Sequence, residues 1–207
     1  MKIVSVIRRR NVVEIHLDSG DVFTLAKKIW EQSEFRQGSE ISEQNLKQLL
    51  NESEIFSIKA ASLRILARRE HSKSELRQKL KQRGFSEQNI DKVISILEQD
   101  NFINDERFAE LYFRSNFEIK KKSPKKIAYE LSKKGVDNSF ISNNLNEINE
   151  DDIYNNALQI ALKKIRTTNT KDTEKLLYSV RNHLLYKAFD IEIVNRVLTE
   201  LKERLGA

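Results

Sequence analysis

The sequence contains no cysteine, one proline, one tryptophan and five glycines in 207 residues. Without cysteine there is no disulfide framework, no thiolate nucleophile and no thiolate metal site. The scarcity of proline and glycine removes the usual breakers of regular structure and favours helix. No stretch approaches the roughly 18 consecutive apolar residues of a membrane span. The apolar start of the chain is short and is followed, not preceded, by Arg8-Arg9-Arg10, so it does not read as a signal peptide. A cytoplasmic protein with no membrane contact is expected. Histidines number three, and His16, His71 and His183 are too far apart to form a metal pair. Neither a G-x-G-x-x-G string nor a P-loop occurs, and no serine has a recurrent base partner. A protein without cofactor, metal or catalysis of its own is expected.

What is present is a repeat. Ser72 is placed to cap a short helix, with Glu75 three residues on as in a capping box. Leu76 and Leu80 share one face of that helix, Gly84 supplies a left-handed stop, and Ser86 opens a helix bearing Ile90, Val93, Ile94 and Leu97. At an offset of 51 the same positions recur as Ser123, Ile127, Leu131, Gly135 and Asp137, followed by Ile141, Leu145 and Ile148. Pro124 falls at the first helical position, where its missing N–H is harmless. A weaker third copy follows at an offset of 53, with Val180, Leu184, Phe189 and Asp190, then Val194, Leu198 and Leu201; Ala188 stands where the stop glycine was. Such repeats indicate stacked modules, each too small to bury its apolar face alone.

The spacing predicts a mainly α protein, an elongated array of tandem three-helix repeats behind a small head of β-strands and helix. The expected divisions are a head over 1–53 and repeats over 54–104, 105–149 and 150–207, with nine helices after residue 55. In the head, β-branched residues predict strands over 2–7, 12–17 and 22–25. A helix over 26–35 carries Trp30 and Phe35 into the core, and a further helix is capped by Ser42. Phe108, Tyr112 and Phe113 have helical spacing and are assigned to packing before base stacking. The acids Glu147, Glu150, Asp151 and Asp152 suit a helix first turn better than a metal site.

Charge is unevenly distributed. The net is +6, yet residues 64–83 alone carry eight bases against Glu70 and Glu75, and residues 120–134 carry seven lysines against Glu130. The two windows occupy equivalent places in two repeats. Repetition of this kind suits an anionic polymer rather than an ordinary solvated face. The residues expected to make the contacts are Arg64, Arg68, Arg69, Lys73, Arg77 and Lys81 in the first repeat. In the second they are Lys121, Lys122, Lys125, Lys126 and Lys133. Lys73, Lys125 and Lys126 stand in the first turns of their helices, where backbone N–H groups also favour phosphate. Lys163, Lys164, Arg166, Lys171, Lys175, Arg181 and Lys187 give the third repeat a thinner basic character.

The strings Leu63–Leu76, Lys79–Phe85 and Asn104–Ala109 closely resemble the RecX family, bacterial regulators of the recombinase RecA. The order Arg-Glu-His-Ser, Glu-Leu, Leu, Gly-Phe and then Asp-Glu-Arg-Phe-Ala carries the resemblance over about residues 55–150. The head and the third repeat resemble the longer members, with Ala188 as the departure. The resemblance implies a monomeric, non-enzymatic modulator that lies in the groove of the RecA–single-stranded DNA filament. It also implies that the protein suppresses RecA's ATP hydrolysis and strand exchange and limits filament growth. Two other readings fit the residues. Short helices joined by tight turns mimic a helix-turn-helix protein acting directly on single- or double-stranded DNA, and the array could equally serve as a scaffold for protein alone.

Overall fold

The computed structural model describes residues 1–170 and 172–206; Lys171, one of the bases of the third repeat, lies outside the described residues. The chain divides into two compact units, Met1–Ile103 and a second that begins at Asn104.

The first unit opens with an antiparallel meander of β1 (Ile3–Arg8), β2 (Val12–Leu17) and β3 (Val22–Ala26) in that order. Val13, Ile15 and Leu17 alternate onto one face and are buried, as a half-covered sheet requires. Ile15 lies opposite Val6 and Phe23, and Val13 opposite Leu25. α1 (Lys27–Gln32) lays Trp30 on this face, 1% exposed, and Ile41, Leu46 and Leu49 complete the core. α1 is shorter than the expected 26–35. Ser33 ends it by donating its hydroxyl to the Trp30 carbonyl at 2.8 Å.

A larger difference follows. The two helices expected on either side of residue 53 are one helix, α2 (Glu43–Leu66), so the expected division at 53/54 falls inside it. No glycine or proline interrupts the segment, and Ser53 does not break it. The buried Ser53 hydroxyl instead accepts the Ala26 N–H at 2.7 Å, tying the helix to the end of β3. The N-terminal half of α2 packs on the sheet through Leu46 and Leu49, and the C-terminal half enters the next core through Ile58, Ala61 and Ile65. The helix ends at Leu66.

α3 (Lys73–Lys81) and α4 (Glu87–Gln99) complete the first three-helix module. Ser72 caps α3 by accepting the Glu75 N–H at 3.1 Å. Ser86 does not cap α4 with its side chain. Its N–H and hydroxyl both donate to Glu54 at 2.7 Å, and the Asn89 amide donates to the same carboxylate at 2.6 Å, fastening α4 to α2.

The second unit holds two modules. In the first, α5 (Asp105–Arg114) is capped by Asn104 and runs into a π-helical turn, Ser115–Ile119, followed by α6 (Pro124–Lys133) and α7 (Asn138–Asn146). In the second are α8 (Glu150–Thr167), α9 (Thr173–Tyr186) and α10 (Ile191–Leu205). Of the four acids expected at a helix start, Glu150, Asp151 and Asp152 open α8, where Arg196 pairs with Glu150 at 2.6 Å and Asp151 at 3.6 Å, whereas Glu147 ends α7. The two modules interlock: the Ser123 hydroxyl donates to the Lys187 carbonyl at 2.7 Å, Lys125 pairs with Asp190, and the Asn156 amide donates to the Phe117 carbonyl at 3.0 Å.

The three modules repeat in detail. Leu76, Ile127 and Val180 are fully buried at one equivalent position, and Leu80, Leu131 and Leu184 at another. The helix stops match as well. Gly84, Gly135 and Ala188 all have left-handed φ, at 83°, 72° and 62°. The third module therefore keeps the turn without the glycine, although left-handed backbone costs an L-residue about 1–2 kcal/mol. Ala188→Gly is expected to stabilise the second unit by about 0.5–1 kcal/mol after glycine's greater unfolded-state entropy is subtracted. Thermal or urea unfolding checks this; a lower midpoint would contradict it.

Candidate nucleic-acid interface

α3 carries its bases on two faces. Lys73, Arg77 and Lys81 recur every four residues and face α4, which runs antiparallel and presents Glu98, Asp91 and Glu87. Three ion pairs result: Lys73–Glu98 at 2.8 Å, Arg77–Asp91 with both Nε and Nη2 within 2.8 Å, and Lys81–Glu87 at 2.5 Å. Arg69 turns to Glu75 at 3.0 Å and to the Glu70 carbonyl. Four of the six residues expected to form a basic stripe thus already have an internal counter-charge.

The remaining charge gathers elsewhere. Arg64 and Arg68 are exposed and have no acidic partner among the described residues, and the same holds for Lys79 and Arg83. Arg68, His71, Lys79, Gln82 and Arg83, with Ile65 at the floor, line a cleft of about 230 Å³ between the end of α2 and the end of α3. His71 is 4% exposed, with its Nδ1 2.9 Å from the Arg69 carbonyl. Burial, helped by the charges of Arg69 and Lys79, holds its pKa below the ordinary 6.5, so the imidazole is neutral near pH 7. Lys79 and Arg83 contribute to the charge of this stretch but are absent from its expected contact residues. The signal that marks them is the lack of a matching acid on α4, which is visible only once α3 and α4 are set side by side.

In the second module the charges divide the same way. Lys122 pairs with Glu130 at 2.6 Å and Lys125 with Asp190. Tyr112 packs against Phe108 at 5.7 Å between centroids, and its hydroxyl donates to Glu130 at 2.8 Å. Lys126 and Lys133 instead lie over the ring of Tyr129, at 5.7 and 5.5 Å from its centroid, and that ring is 57% exposed. An exposed aromatic between two ammonium groups is the usual platform for an unpaired base. Sequence spacing draws attention to Tyr112 and passes over Tyr129, because helical periodicity does not separate an outward aromatic from an inward one. Lys121 has left-handed φ at 55° and lines a groove of about 780 Å³ with Phe113, Phe117 and Leu162. Glu110, Glu118, Glu147 and Asp152 also line it, a charge that opposes phosphate.

Glu130 is partly buried. Burial acts to raise its pKa, but Lys122 and the Tyr112 hydroxyl outweigh it and hold the group below the ordinary 4.5. A carboxylate depressed in this way adds stability above its unfolded pKa and loses it as pH falls through the folded value. Acid unfolding of the second unit should therefore set in below about pH 4.5 and be shallower in Glu130→Gln. An unchanged pH profile in that variant would show that the pair contributes nothing.

Among the described residues no group of three His, Asp or Glu is placed to hold a metal, and no helix is long and apolar enough to cross a membrane. Fold and surface define a class: a tandem three-helix protein that carries unneutralised cations on its modules. The profiles described as RecX, first three-helix domain, and RecX, second three-helix domain, match residues 59–97 and 104–144. Regulatory protein RecX of Clostridioides difficile (strain 630) is 30% identical over 194 residues, spanning 94% of this chain and 91% of its own. That of Clostridium perfringens (strain 13 / Type A) is 29% identical over 206 residues, spanning 97% and 96%. The fold matches a crystal structure of regulatory protein RecX with TM-score 0.70 at 22% identity, over 95% of this chain and 98% of that one. It matches RecX from Lactobacillus salivarius with TM-score 0.63 at 26% identity, over 72% and 97%. The chain belongs to the RecX family of regulatory proteins.

Proposed function

We propose that this protein binds the RecA filament on single-stranded DNA and restrains it, lowering RecA's ATP hydrolysis and strand exchange and limiting filament growth, with no catalysis of its own. Family membership along nearly the whole chain is the observation that carries this reading. The exposed cations without internal partners support an anionic polymer as part of the target. Of the eleven residues expected to make contact, Arg64, Arg68, Lys126 and Lys133 are the strongest, because no carboxylate among the described residues forms an ion pair with them; Lys121 also has no ion pair but stands in the groove lined by Glu110, Glu118, Glu147 and Asp152. Arg69, Lys73, Arg77, Lys81, Lys122 and Lys125 would first have to exchange an internal partner for an external one.

The test is ATP hydrolysis by RecA on single-stranded DNA, titrated with this protein at two salt concentrations. Inhibition at substoichiometric amounts, weaker at high salt, is expected. A protected footprint at one defined duplex site, with no effect on RecA at any ratio, would replace this reading with that of a helix-turn-helix-like regulator acting on DNA directly.

A further inference from the structure

We propose that the cleft between the ends of α2 and α3 in the first module is a receptor for a phosphodiester group of a nucleic-acid backbone, held by Arg68, Lys79 and Arg83. This rests on the reading that nucleic acid is part of the target.

The physical basis begins with an imbalance. Lys79, on α3, and Arg83, in the turn that follows it, stand four residues apart, where like charges repel. Arg68 adds a third positive group to the same hollow of about 230 Å³. No carboxylate of the described residues pairs with any of the three, although the other face of the same helix pairs every base it carries. Guanidinium groups present paired N–H donors that match the two free oxygens of a phosphodiester.

The second module shows what such a position holds when the chain supplies the anion itself. At the offset of 51, Lys79 corresponds to Glu130, His71 to Lys122 and Arg83 to Lys134. There the Glu130 carboxylate receives Lys122 at 2.6 and 2.9 Å and the Tyr112 hydroxyl at 2.8 Å. Lys134 lies over the Tyr112 ring, 5.3 Å from its centroid. One module thus has a built-in anion, and in the other that anion is replaced by a lysine, leaving a cationic cleft to be filled from outside. A single protein carboxylate would neutralise one charge only. Arg64, one helical turn before Arg68 and also without an acidic partner among the described residues, extends the field beyond the cleft. A backbone with a charge at every nucleotide meets both.

The experiment follows the His71 ring resonances by NMR while the full chain is titrated with inorganic phosphate and, separately, with a short thymidine oligonucleotide. Both are expected to shift His71 and to raise its pKa, since an anion in the cleft offsets Lys79. Lys79→Glu, which copies the second module, should abolish the shifts and weaken oligonucleotide binding about tenfold or more. Its melting temperature should stay the same or rise, because the new carboxylate meets Arg68 and Arg83. Lys79→Gln gives the same reading without a new pair. Lys47→Glu, about 27 Å from Ile65 along α2, should leave the shifts intact. Shifts with phosphate but not oligonucleotide would overturn the proposal in favour of a small-anion pocket. Oligonucleotide binding that leaves His71 unmoved and ignores Lys79→Glu would overturn it while sparing nucleic-acid binding elsewhere. His71 shifts with both probes, alongside no effect on RecA, would uphold the cleft and overturn the filament reading.

Discussion

Replacing Leu80, Leu131 or Leu184 with alanine is expected to destabilise the protein by about 2–5 kcal/mol in each case. All three are fully buried, and each is surrounded by its own module's core rather than a shared one. Little backbone can move into the space, because each residue lies on a helix held at its start by a capping side chain and at its end by a left-handed turn. The consequence differs by unit. Leu80→Ala should raise hydrogen exchange through α2, α3 and α4, and Leu131→Ala and Leu184→Ala through the second unit. In that unit the Ser123–Lys187 and Lys125–Asp190 links couple the two modules, so either variant should speed exchange in both. Equal acceleration everywhere from Leu80→Ala would mean that the division at Ile103 is not an energetic one.

These three positions are readable in the sequence because everything that defines them is local. A cap, two apolar residues four apart and a stop fit within about fourteen residues, and none needs information from another helix. The third stop is readable even without its glycine, since the surrounding apolar positions stay in register and the chain has one conformation that keeps them there. The failures are of the opposite kind. The expected division at 53/54 falls in the middle of α2, where β3 places the Ala26 N–H against the Ser53 hydroxyl. The apolar stripe of α2 shifts from one core to the next, so no single periodicity runs through the helix. The candidate interface is illegible for the same reason. Counting bases on α3 finds the charge, but whether a base is spent on an internal partner depends on which acids of α4 lie opposite. Glu87, Asp91 and Glu98 are in plain view in the sequence, and only the antiparallel packing of the two helices makes them partners of Lys81, Arg77 and Lys73.

That distinction leads to two triple variants that remove the same charge from the same module. Arg68→Ala/Lys79→Ala/Arg83→Ala deletes the cations without acidic partners, and Lys73→Ala/Arg77→Ala/Lys81→Ala deletes the paired ones. For single-stranded DNA the salt dependence of binding falls by about 0.7 in log–log slope for each phosphate that the protein no longer neutralises. The first triple should therefore lower the slope by about 2 and reduce affinity at low salt by one to two orders of magnitude, about 1.4–2.8 kcal/mol. Its stability should hold or increase, since mutual repulsion is removed. The second triple should behave in reverse. Exposed ion pairs contribute about 0–1 kcal/mol each, so the first unit should lose about 1–2 kcal/mol, while the slope changes by less than about 1. Glu87, Asp91 and Glu98 are left unopposed in that variant and repel the strand at a distance, which slows association but is screened within about 10 Å at 0.1 M salt. Affinity reduced for this reason should return as salt is raised, whereas affinity that depends on the cleft should not. Equal changes of slope in the two triples would show that the ion pairs between α3 and α4 open on binding, and that all the bases of α3 act as one surface.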